Sequence, residues 1–312
     1  MNITLRQLQI FARIAQEGSI TIAAERLFLT KPAVSTALTE LEKRCGYPLF
    51  DRHNNRLYLN DYGLRLLPLA DELLQRSADI ENLFNPDVNA LDTSLRLGTS
   101  FTIGHQLIPW LLKDYREATG HQRQTVTIGN SQQICQQLAS FELDMGLIEG
   151  KPEHDDINTE YWMSDRMLIA AHPQHPLANT GMKTPSDLSD QKWLLREIGS
   201  GSRELFMNRL APHLTRWQKT LELNATEAII NATAAGLGLS CISELAARHA
   251  LHDGRLVEIP LDIDLQRPFY LAWHQDKYRC PTLTRFSNFI HEWQPPITSH
   301  WAALGSVSTS GL

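Results

Sequence analysis

Three short amphipathic segments follow one another within the first 45 residues, and this spacing constrains the fold more than any other feature of the chain. Apolar residues recur at helical intervals over residues 5–15, and Gly18 is a typical helix-ending residue. Ser19 caps a second segment that contains small alanines, and Thr30 with Pro32 begins a third. Two short helices joined by a tight turn behind a supporting helix predict a helix-turn-helix.

The third segment is the predicted DNA-reading helix. Its apolar residues Val34, Leu38 and Leu41 face inward, which leaves short polar side chains that can approach base edges. Taken alone, this pattern fits a solvated helix face better than a DNA contact, because short amphipathic helices are common. The candidate DNA contacts on this segment are Thr30, Lys31, Pro32, Ser35, Thr36 and Thr39.

The segment that follows favours DNA binding. Residues 49–52 and 56–59 predict two short strands around the polar turn 53–55, an arrangement typical of a β-wing. Arg52 and Arg56 flank this wing and are predicted to contact the sugar-phosphate backbone.

Charge is distributed unevenly along the chain. The net charge is -6, but residues 1–66 carry nine Lys and Arg against six Asp and Glu, so this head is +3 and the remainder is -9. A basic head on an acidic body suits a protein that contacts phosphates with one end only.

A long apolar stripe begins after the wing and predicts one helix from residue 61 or 62 to residue 84. The stripe consists of Leu66, Leu67, Leu69, Leu73, Leu74, Ile80 and Leu83. The polar residues Asp71, Glu72, Gln75, Arg76 and Asp79 are predicted to lie largely off it. A helix of this kind needs a partner, and Asn85-Pro86 followed by polar residues up to 93 predicts a hinge.

Beyond residue 93, short apolar runs alternate with helical stretches. This alternation predicts an α/β domain with a mainly parallel sheet. A second lobe is expected to begin at the run RMLIAAHPQHPLA, and the chain is expected to cross back to the first lobe near RPFYLAWH.

Residues 3–66 resemble the DNA-binding domain of LysR-type transcriptional regulators. The resemblance rests on LRQLQIFARIAQEGSITIAAERLFLTKPAVSTALTELEKRCGYPLFDR and the later RLYLNDYGLRLLP, an ordered set of helix, wing and linker features that is highly specific. It implies that residues 30–39 enter the major groove and that Arg52 and Arg56 contact the backbone. Lys31 stands where Gln is frequent, which predicts an altered base preference, and Asn60 stands where Thr commonly caps the linker helix.

The body resembles the effector domain of the same family, which implies an α/β protein in three parts. These are a winged helix-turn-helix at 1–60, a linker helix with a hinge at 61–92, and a two-lobed, periplasmic-binding-protein-like effector domain at 93–293. Lobe I spans about 93–162 and 270–293, lobe II spans about 163–269, and the tail 294–312 is expected to be disordered. The family also implies dimers or tetramers through the linker helix, promoter DNA as a partner, and RNA polymerase as a candidate partner.

A ligand in such a fold is expected between the lobes, at the carboxyl ends of strands and the amino ends of helices. Two loops there, residues 99–102 and 199–203, combine hydroxyls with backbone amides at a helix start, which suits an anion. The carboxylate of Glu149 would repel an anion unless Arg203 or another cation compensates its charge. As an alternative to ligand binding, the serines and threonines of both loops cap the helices that follow. The candidate effector-binding residues are Ser100, Thr102, Glu149, Ser200, Gly201, Ser202, Arg203 and Thr226.

The family resemblance also suggests an effector. The positions of Ser100, Thr102 and Ser200 resemble those that bind small oxyanions in regulators of cysteine biosynthesis and sulfur assimilation. The segments GSGSR and GLIEG resemble the branch of sulfite-responsive and carbon-fixation regulators. Sulfite or sulfate is therefore the first expectation, and an amino acid or other zwitterion whose amino group binds Glu149 is the alternative.

Other protein classes fit the sequence less well. The chain contains no GxSxG, HExxH or GxxxxGK[ST] motif, which argues against an enzyme, and neither a cofactor nor a metal site is predicted. The four cysteines lack metal-ligand spacing, and His172 with His175 is a weak metal signal. With neither a signal peptide nor an apolar run near the ~20 residues that span a bilayer, we expect a cytoplasmic regulator rather than a secreted solute-binding protein.

Overall fold

The structure is a computed structural model that describes residues 3–54, 56–83, 94–152 and 154–296. Most of the predicted hinge and tail, together with Asn55 of the predicted wing turn, lie outside the described residues.

The head has the predicted order of helices and strands. It contains α1 (Leu5–Glu17), α2 (Ile20–Arg26), α3 (Lys31–Cys45), β1 (Phe50–His53) and β2 (Arg56–Leu59). Hydroxyls of Thr4, Ser19 and Thr30 accept backbone N–H groups at the starts of the three helices. Gly18 ends α1 with a φ of 62°, a left-handed conformation that glycine adopts without strain. β1 and β2 pair antiparallel and form the wing.

One long helix, α4 (Asp61–Leu83), follows the wing. Asn60 Oδ1 accepts the Gly63 N–H at 3.0 Å, so Asn60 caps this helix as predicted. The buried residues Leu67 and Ala70 pack against the hydrophobic core of the head.

The body contains seven helices and nine strands among the residues that the structure describes. The helices are α5 (Phe101–Gln106), α6 (Ile108–Thr119), α7 (Ser131–Ala139), α8 (Gly201–Leu205), α9 (Thr226–Ala234), α10 (Glu244–His252) and α11 (Pro281–Glu292). The strands are β3 (Leu95–Ser100), β4 (Gln124–Gly129), β5 (Met145–Glu149), β6 (Ile157–Ala171), β7 (Lys192–Arg196), β8 (Gln218–Leu223), β9 (Leu239–Ser243), β10 (Val257–Ile259) and β11 (Gln266–His274).

The body strands form one mixed sheet in the order β4-β3-β5-β11-β6-β9-β7-β8, with β10 beside β6. The prediction of a mainly parallel sheet is wrong, because the β5–β11, β11–β6, β6–β9 and β10–β6 pairs are all antiparallel. The parallel pairs lie at the two ends, β3 with β4 and β5, and β7 with β8 and β9. Two long strands, β6 and β11, therefore join two parallel units.

The change from one unit to the other takes place along β6. Its first part, residues 157–166, pairs with β11, and residues 167–170 pair with β9. Each unit has apolar clusters of its own. Leu97, Leu147 and Phe286 belong to a cluster of the first unit, and Trp193 and Phe206 belong to one of the second. The carboxyl ends of β3 and β5 and the start of β11 meet at the junction.

Candidate DNA-binding face and interlobe site

The outer face of α3 carries the predicted polar residues. Val34, Leu38 and Leu41 are buried, whereas Lys31, Pro32, Thr36 and Thr39 are exposed and Ser35 is half-buried. Thr30 Oγ1 caps the helix by accepting the Ala33 N–H, and Thr39 Oγ1 donates to the Ser35 carbonyl at 3.0 Å. The helix therefore exposes one continuous surface of short polar groups next to a lysine.

A groove of about 460 Å³ lies between this helix and the wing. The cationic side chains of Lys31, Arg52 and Arg56 line it, together with Ser19 and Thr21 from the start of α2. None of the residues that line it carries a carboxylate. Three cations without a local anion suit a phosphate backbone. The sequence identified the cations but not the two hydroxyl residues from α2.

The apolar stripe of α4 divides into two faces. Leu67, with Leu66 and Leu74, packs against the core of the same head. Leu69, Leu73 and Ile80 are about half exposed and lie 7, 11 and 18 residues after the exposed Tyr62, close to whole numbers of helical turns. These four residues, Tyr62, Leu69, Leu73 and Ile80, form the exposed stripe of α4. Tyr47 extends it by stacking on Tyr62 with ring centroids 4.2 Å apart.

Arg267, near the start of β11, is the centre of the interlobe site. Its side chain is 1% exposed. Nη1 donates to Glu149 Oε2 at 2.5 Å and to Ser202 Oγ at 2.9 Å, and Nη2 donates to Thr102 Oγ1 at 3.1 Å and to Asp165 Oδ2 at 2.5 Å. Three predicted residues from distant parts of the chain thus converge on one guanidinium.

Glu149 at the end of β5 is buried and has donors on both carboxylate oxygens. Oε1 accepts the Thr102 N–H at 2.9 Å, and Oε2 accepts Arg267. Burial acts to raise the pKa of Glu149, but Arg267 and the donors of Thr102 outweigh it and hold the pKa below its usual value. Glu149 is therefore ionised, and the cation that compensates it is Arg267.

Several buried polar atoms at this site have no hydrogen-bond partner among the described residues. They are Thr99 Oγ1, Ser100 Oγ, Asp165 Oδ1 and Arg267 Nε. Ser100 Oγ approaches Glu149 closely enough to lower its pKa, but makes no hydrogen bond of ordinary geometry. Such atoms are rare in folded proteins, and their concentration here indicates a site that lacks a polar partner, which a ligand or water can supply.

The loop before α8 closes over this cluster. Ser200 Oγ accepts the Arg203 N–H and so caps α8. A Cβ at Gly201 would lie 2.6 Å from Glu149 Cβ, so only glycine permits this close approach of the loop to β5. The Gln132 N–H also donates to the Gly199 carbonyl at 3.2 Å across the cleft. Gly199 and Gly201 thus bring the second lobe close to the first, and Ser200 caps α8 within the second lobe.

The structure does not bring the guanidinium of Arg203 to Glu149. Its Nη1 donates to Glu222 Oε2 at 2.6 Å and to the Arg196 carbonyl. Thr226 accepts Arg196 Nη1 at 2.6 Å through its hydroxyl, and the residue that caps α9 is Ala225.

Arg196 is a second buried cation that sequence reasoning missed. Its guanidinium carbon lies 4.7 Å from the centroid of the Phe101 ring, on the opposite lobe. One sequence signal could have identified Arg196 and Arg267: each is an arginine within an apolar strand. A buried cation needs a polar or charged partner, so such an arginine is a candidate site residue.

The weak metal signal of the two histidines has an ordinary structural explanation. Nδ1 of His172 and of His175 each accepts a backbone N–H two residues ahead. No group of three or more potential metal ligands occurs in the described part of the chain. Burial raises the pKa of Cys135 and Cys241 to about 12, which makes these thiols unreactive.

No helix in the described ranges is long and apolar enough to cross a membrane.

Comparisons with known proteins agree on one family. Residues 5–64 match the family described as bacterial regulatory helix-turn-helix protein, lysR family, and residues 89–295 match the LysR substrate binding domain. The HTH-type transcriptional regulator YeiE of Escherichia coli (strain K12) is 38% identical over 290 residues, which are 93% of this chain and 97% of that protein.

Two solved structures are similar to the chain. A full-length OxyR variant from Pseudomonas aeruginosa covers 94% of both chains with a TM-score of 0.71 and 22% identity, which shows a shared fold. The Synechocystis PCC6803 CcmR regulatory domain, solved in complex with 2-PG, covers 64% of this chain and 96% of that domain, with a TM-score of 0.59 and 26% identity.

Proposed function

Because this chain belongs to the LysR family of DNA-binding transcriptional regulators, we propose that its interlobe site binds a small oxyanion such as sulfite or sulfate and thereby controls DNA binding. The observation that supports this class of effector is that the buried Nε of Arg267 and the buried hydroxyls of Thr99 and Ser100 have no hydrogen-bond partner among the described residues. These three donors, at the carboxyl end of β3 and near the start of β11, are of the kind that a small oxyanion needs. The similar CcmR regulatory domain was solved in complex with 2-PG, so a protein with this effector-domain fold binds a small ligand.

A zwitterion such as an amino acid is the second candidate. Glu149 and Asp165 outnumber Arg267 in the buried cluster, and Asp165 Oδ1 has no partner among the described residues. An amino group would gain two carboxylate neighbours there. The two candidates differ in the sign of the charge that they bring to Glu149.

A thermal-shift screen tests the class of effector. Purified protein is heated with sulfite, sulfate, thiosulfate, phosphate and a set of amino acids. A ligand at ~100 times its dissociation constant adds ~2.7 kcal/mol to the native state. We expect stabilisation by an oxyanion, loss of that response in Ser100→Ala, and an unchanged response in Ser186→Ala, which alters an exposed serine.

Ser100→Ala is informative because it removes a hydroxyl that has no hydrogen-bond partner, so the unliganded protein should keep its melting temperature. A response to an amino acid with silence from every oxyanion would favour the zwitterion instead.

For DNA, we propose that residues 30–39 enter the major groove and that Arg52 and Arg56 contact phosphates beside it. The support is the exposed polar face of α3 and the groove that Lys31 shares with both arginines. We further propose that the regulator acts in the cytoplasm.

For assembly, we propose that the exposed stripe of α4 binds the same stripe of a second copy, which gives two reading heads for two half-sites. Tyr62, Leu69, Leu73 and Ile80 place apolar side chains along one exposed line of a helix whose buried residues Leu67 and Ala70 already pack on its own head.

A further inference from the structure

The interlobe site has an unbalanced charge. Around Arg267, one guanidinium meets two carboxylates, those of Glu149 and Asp165. A second buried guanidinium, that of Arg196, is paired with Glu197 and so adds no net charge. The side chains of Arg267, Glu149 and Asp165 are at most 4% exposed, so solvent screens their interactions little. With both acids ionised the cluster carries a net charge of -1. An added oxyanion would make it more negative, and burying uncompensated negative charge costs free energy.

Building on the proposed oxyanion function, we propose that the site takes up one proton, on Asp165, when the oxyanion binds. The proton removes one negative charge from the cluster as the ligand adds its own. It also converts the unpartnered acceptor Oδ1 into an O–H donor. Binding therefore becomes tighter as the pH falls.

The hydrogen bonds indicate which carboxylate receives the proton. Both oxygens of Glu149 accept donors, from Thr102 N and Arg267 Nη1, and a proton there would disrupt a satisfied carboxylate. Asp165 Oδ2 accepts Arg267 Nη2. The Ser243 hydroxyl approaches the carboxylate closely enough to lower its pKa, but Oδ1 makes no hydrogen bond of ordinary geometry within the described part of the chain. Oδ1 is thus the free position for a proton.

The electrostatic surroundings agree with this choice. The groups that act on Asp165 are Arg267 on β11, Glu149 on β5, and Cys241 and Ser243 on β9. Burial raises the pKa of Asp165 above its usual value in spite of Arg267. The pKa of Glu149 is lowered instead, so of the two carboxylates it is Asp165 whose protonated form the surroundings favour.

The test uses sulfate as the probe, because sulfate stays a dianion throughout the pH range of interest. Isothermal titration calorimetry of the full chain, from about pH 5.5 to about pH 8.5 in buffers of different ionisation enthalpy, gives the dissociation constant and the number of protons taken up. We expect the affinity to weaken by up to about tenfold per pH unit above the pKa of Asp165, with about one proton taken up there.

Asp165→Asn provides the decisive variant, since asparagine resembles the protonated acid in shape and charge. It should bind sulfate with little pH dependence and almost no proton uptake. Asp155→Asn removes the same charge from an exposed position and should behave as wild type. If Asp165→Asn does not fold, the proton count of the wild-type protein still decides the question.

Three outcomes separate this inference from the proposed function. Sulfate binding with no proton uptake and a flat pH profile would overturn the inference and leave the oxyanion function standing. The same pH profile in wild type and Asp165→Asn would also overturn it. If sulfate is silent, sulfite is titrated over the same pH range, and silence at every pH would overturn the proposed oxyanion function itself.

Discussion

Lys277 Nζ lies 2.6 Å from Asp71 Oδ2, which joins the effector domain to the middle of the linker helix α4 through a buried ion pair. Lys277 Nζ also lies 2.7 Å from Asp144 Oδ1, and Arg96 Nη2 contacts Asp71 and Asp144. Phe141, three residues before Asp144, packs into the hydrophobic cluster of the head. The DNA-binding head and the effector domain are therefore held together within one chain.

Strands β5 and β11 connect this contact to the interlobe site. β5 follows Asp144 and ends at Glu149, and the neighbouring β11 carries Arg267 near its start and ends shortly before Lys277. The two ends of this strand pair therefore hold the ligand cluster and the contact with the linker helix.

We predict that Lys277→Met lowers the free energy of unfolding by about 3–5 kcal/mol, because it leaves Asp71 and Asp144 buried with Arg96 as their remaining cation. Urea unfolding monitored by tryptophan fluorescence measures the change. Lys113→Met removes an exposed lysine that pairs with Glu117 and should have no measurable effect. Equal stability of both variants would show that the buried pair contributes nothing.

Acid should weaken the same contact. Burial acts to raise the pKa of Asp144, but Lys277 and Arg96 outweigh it, so its pKa in the folded protein lies below its usual value. A carboxyl group whose pKa is lower in the folded protein than in the unfolded chain stabilises the native state at pH values above its pKa in the unfolded chain. This contribution is lost as the pH falls through the pKa of the group in the folded protein. We expect stability to fall below about pH 4. The fall should be shallower in Asp144→Asn, and an identical slope in urea titrations at pH 3 to 7 would contradict this account.

The exposed stripe of α4 gives a prediction about assembly. Leu73→Asp places a charge in the middle of the stripe and should dissociate the proposed dimer, as measured by analytical ultracentrifugation. Leu64→Asp is the matched control, since Leu64 is similarly exposed but lies two residues from Tyr62, on the opposite side of the helix. If both variants remain dimers, the stripe is not the interface.

The two kinds of DNA contact should respond differently to mutation. Arg52→Ala should weaken binding on specific and random duplexes alike and reduce the salt slope by about 1, because Arg52 is assigned to a phosphate. Lys31→Ala and Ser35→Ala should change sequence preference instead, with a cost of about 1–3 kcal/mol on the preferred site. Fluorescence anisotropy at several salt concentrations distinguishes them, and equal losses for all three would mean that the base contacts are misassigned.

Local features allowed much of the head to be predicted from sequence. Ser19, Thr30 and Asn60 cap helices where the pattern placed them, and Gly18 ends α1, because caps depend on residues that are close in the chain. The division of the α4 stripe was not predictable, since apolar spacing does not say which of two neighbours each leucine contacts.

The interlobe site shows where sequence reasoning stops. Thr102, Glu149 and Ser202 were singled out and do meet, but at Arg267, which is 118 residues from Glu149 in sequence. Arg203 was the nearer candidate in the loop, yet Glu222 binds it. Antiparallel pairing along β6 and β11 creates these long-range contacts, and an expectation of parallel strands could not reveal them.

The central claim is that an oxyanion in the interlobe site changes how the heads engage DNA. The most direct measurement is footprinting and bend analysis on a duplex selected by the protein from random DNA, with and without sulfite. An effector shifts such an equilibrium only through its different affinity for the two arrangements, typically by ~1–3 kcal/mol. We predict a changed protected span or bend with sulfite that disappears in Ser100→Ala, and the same span and bend under both conditions would contradict the account.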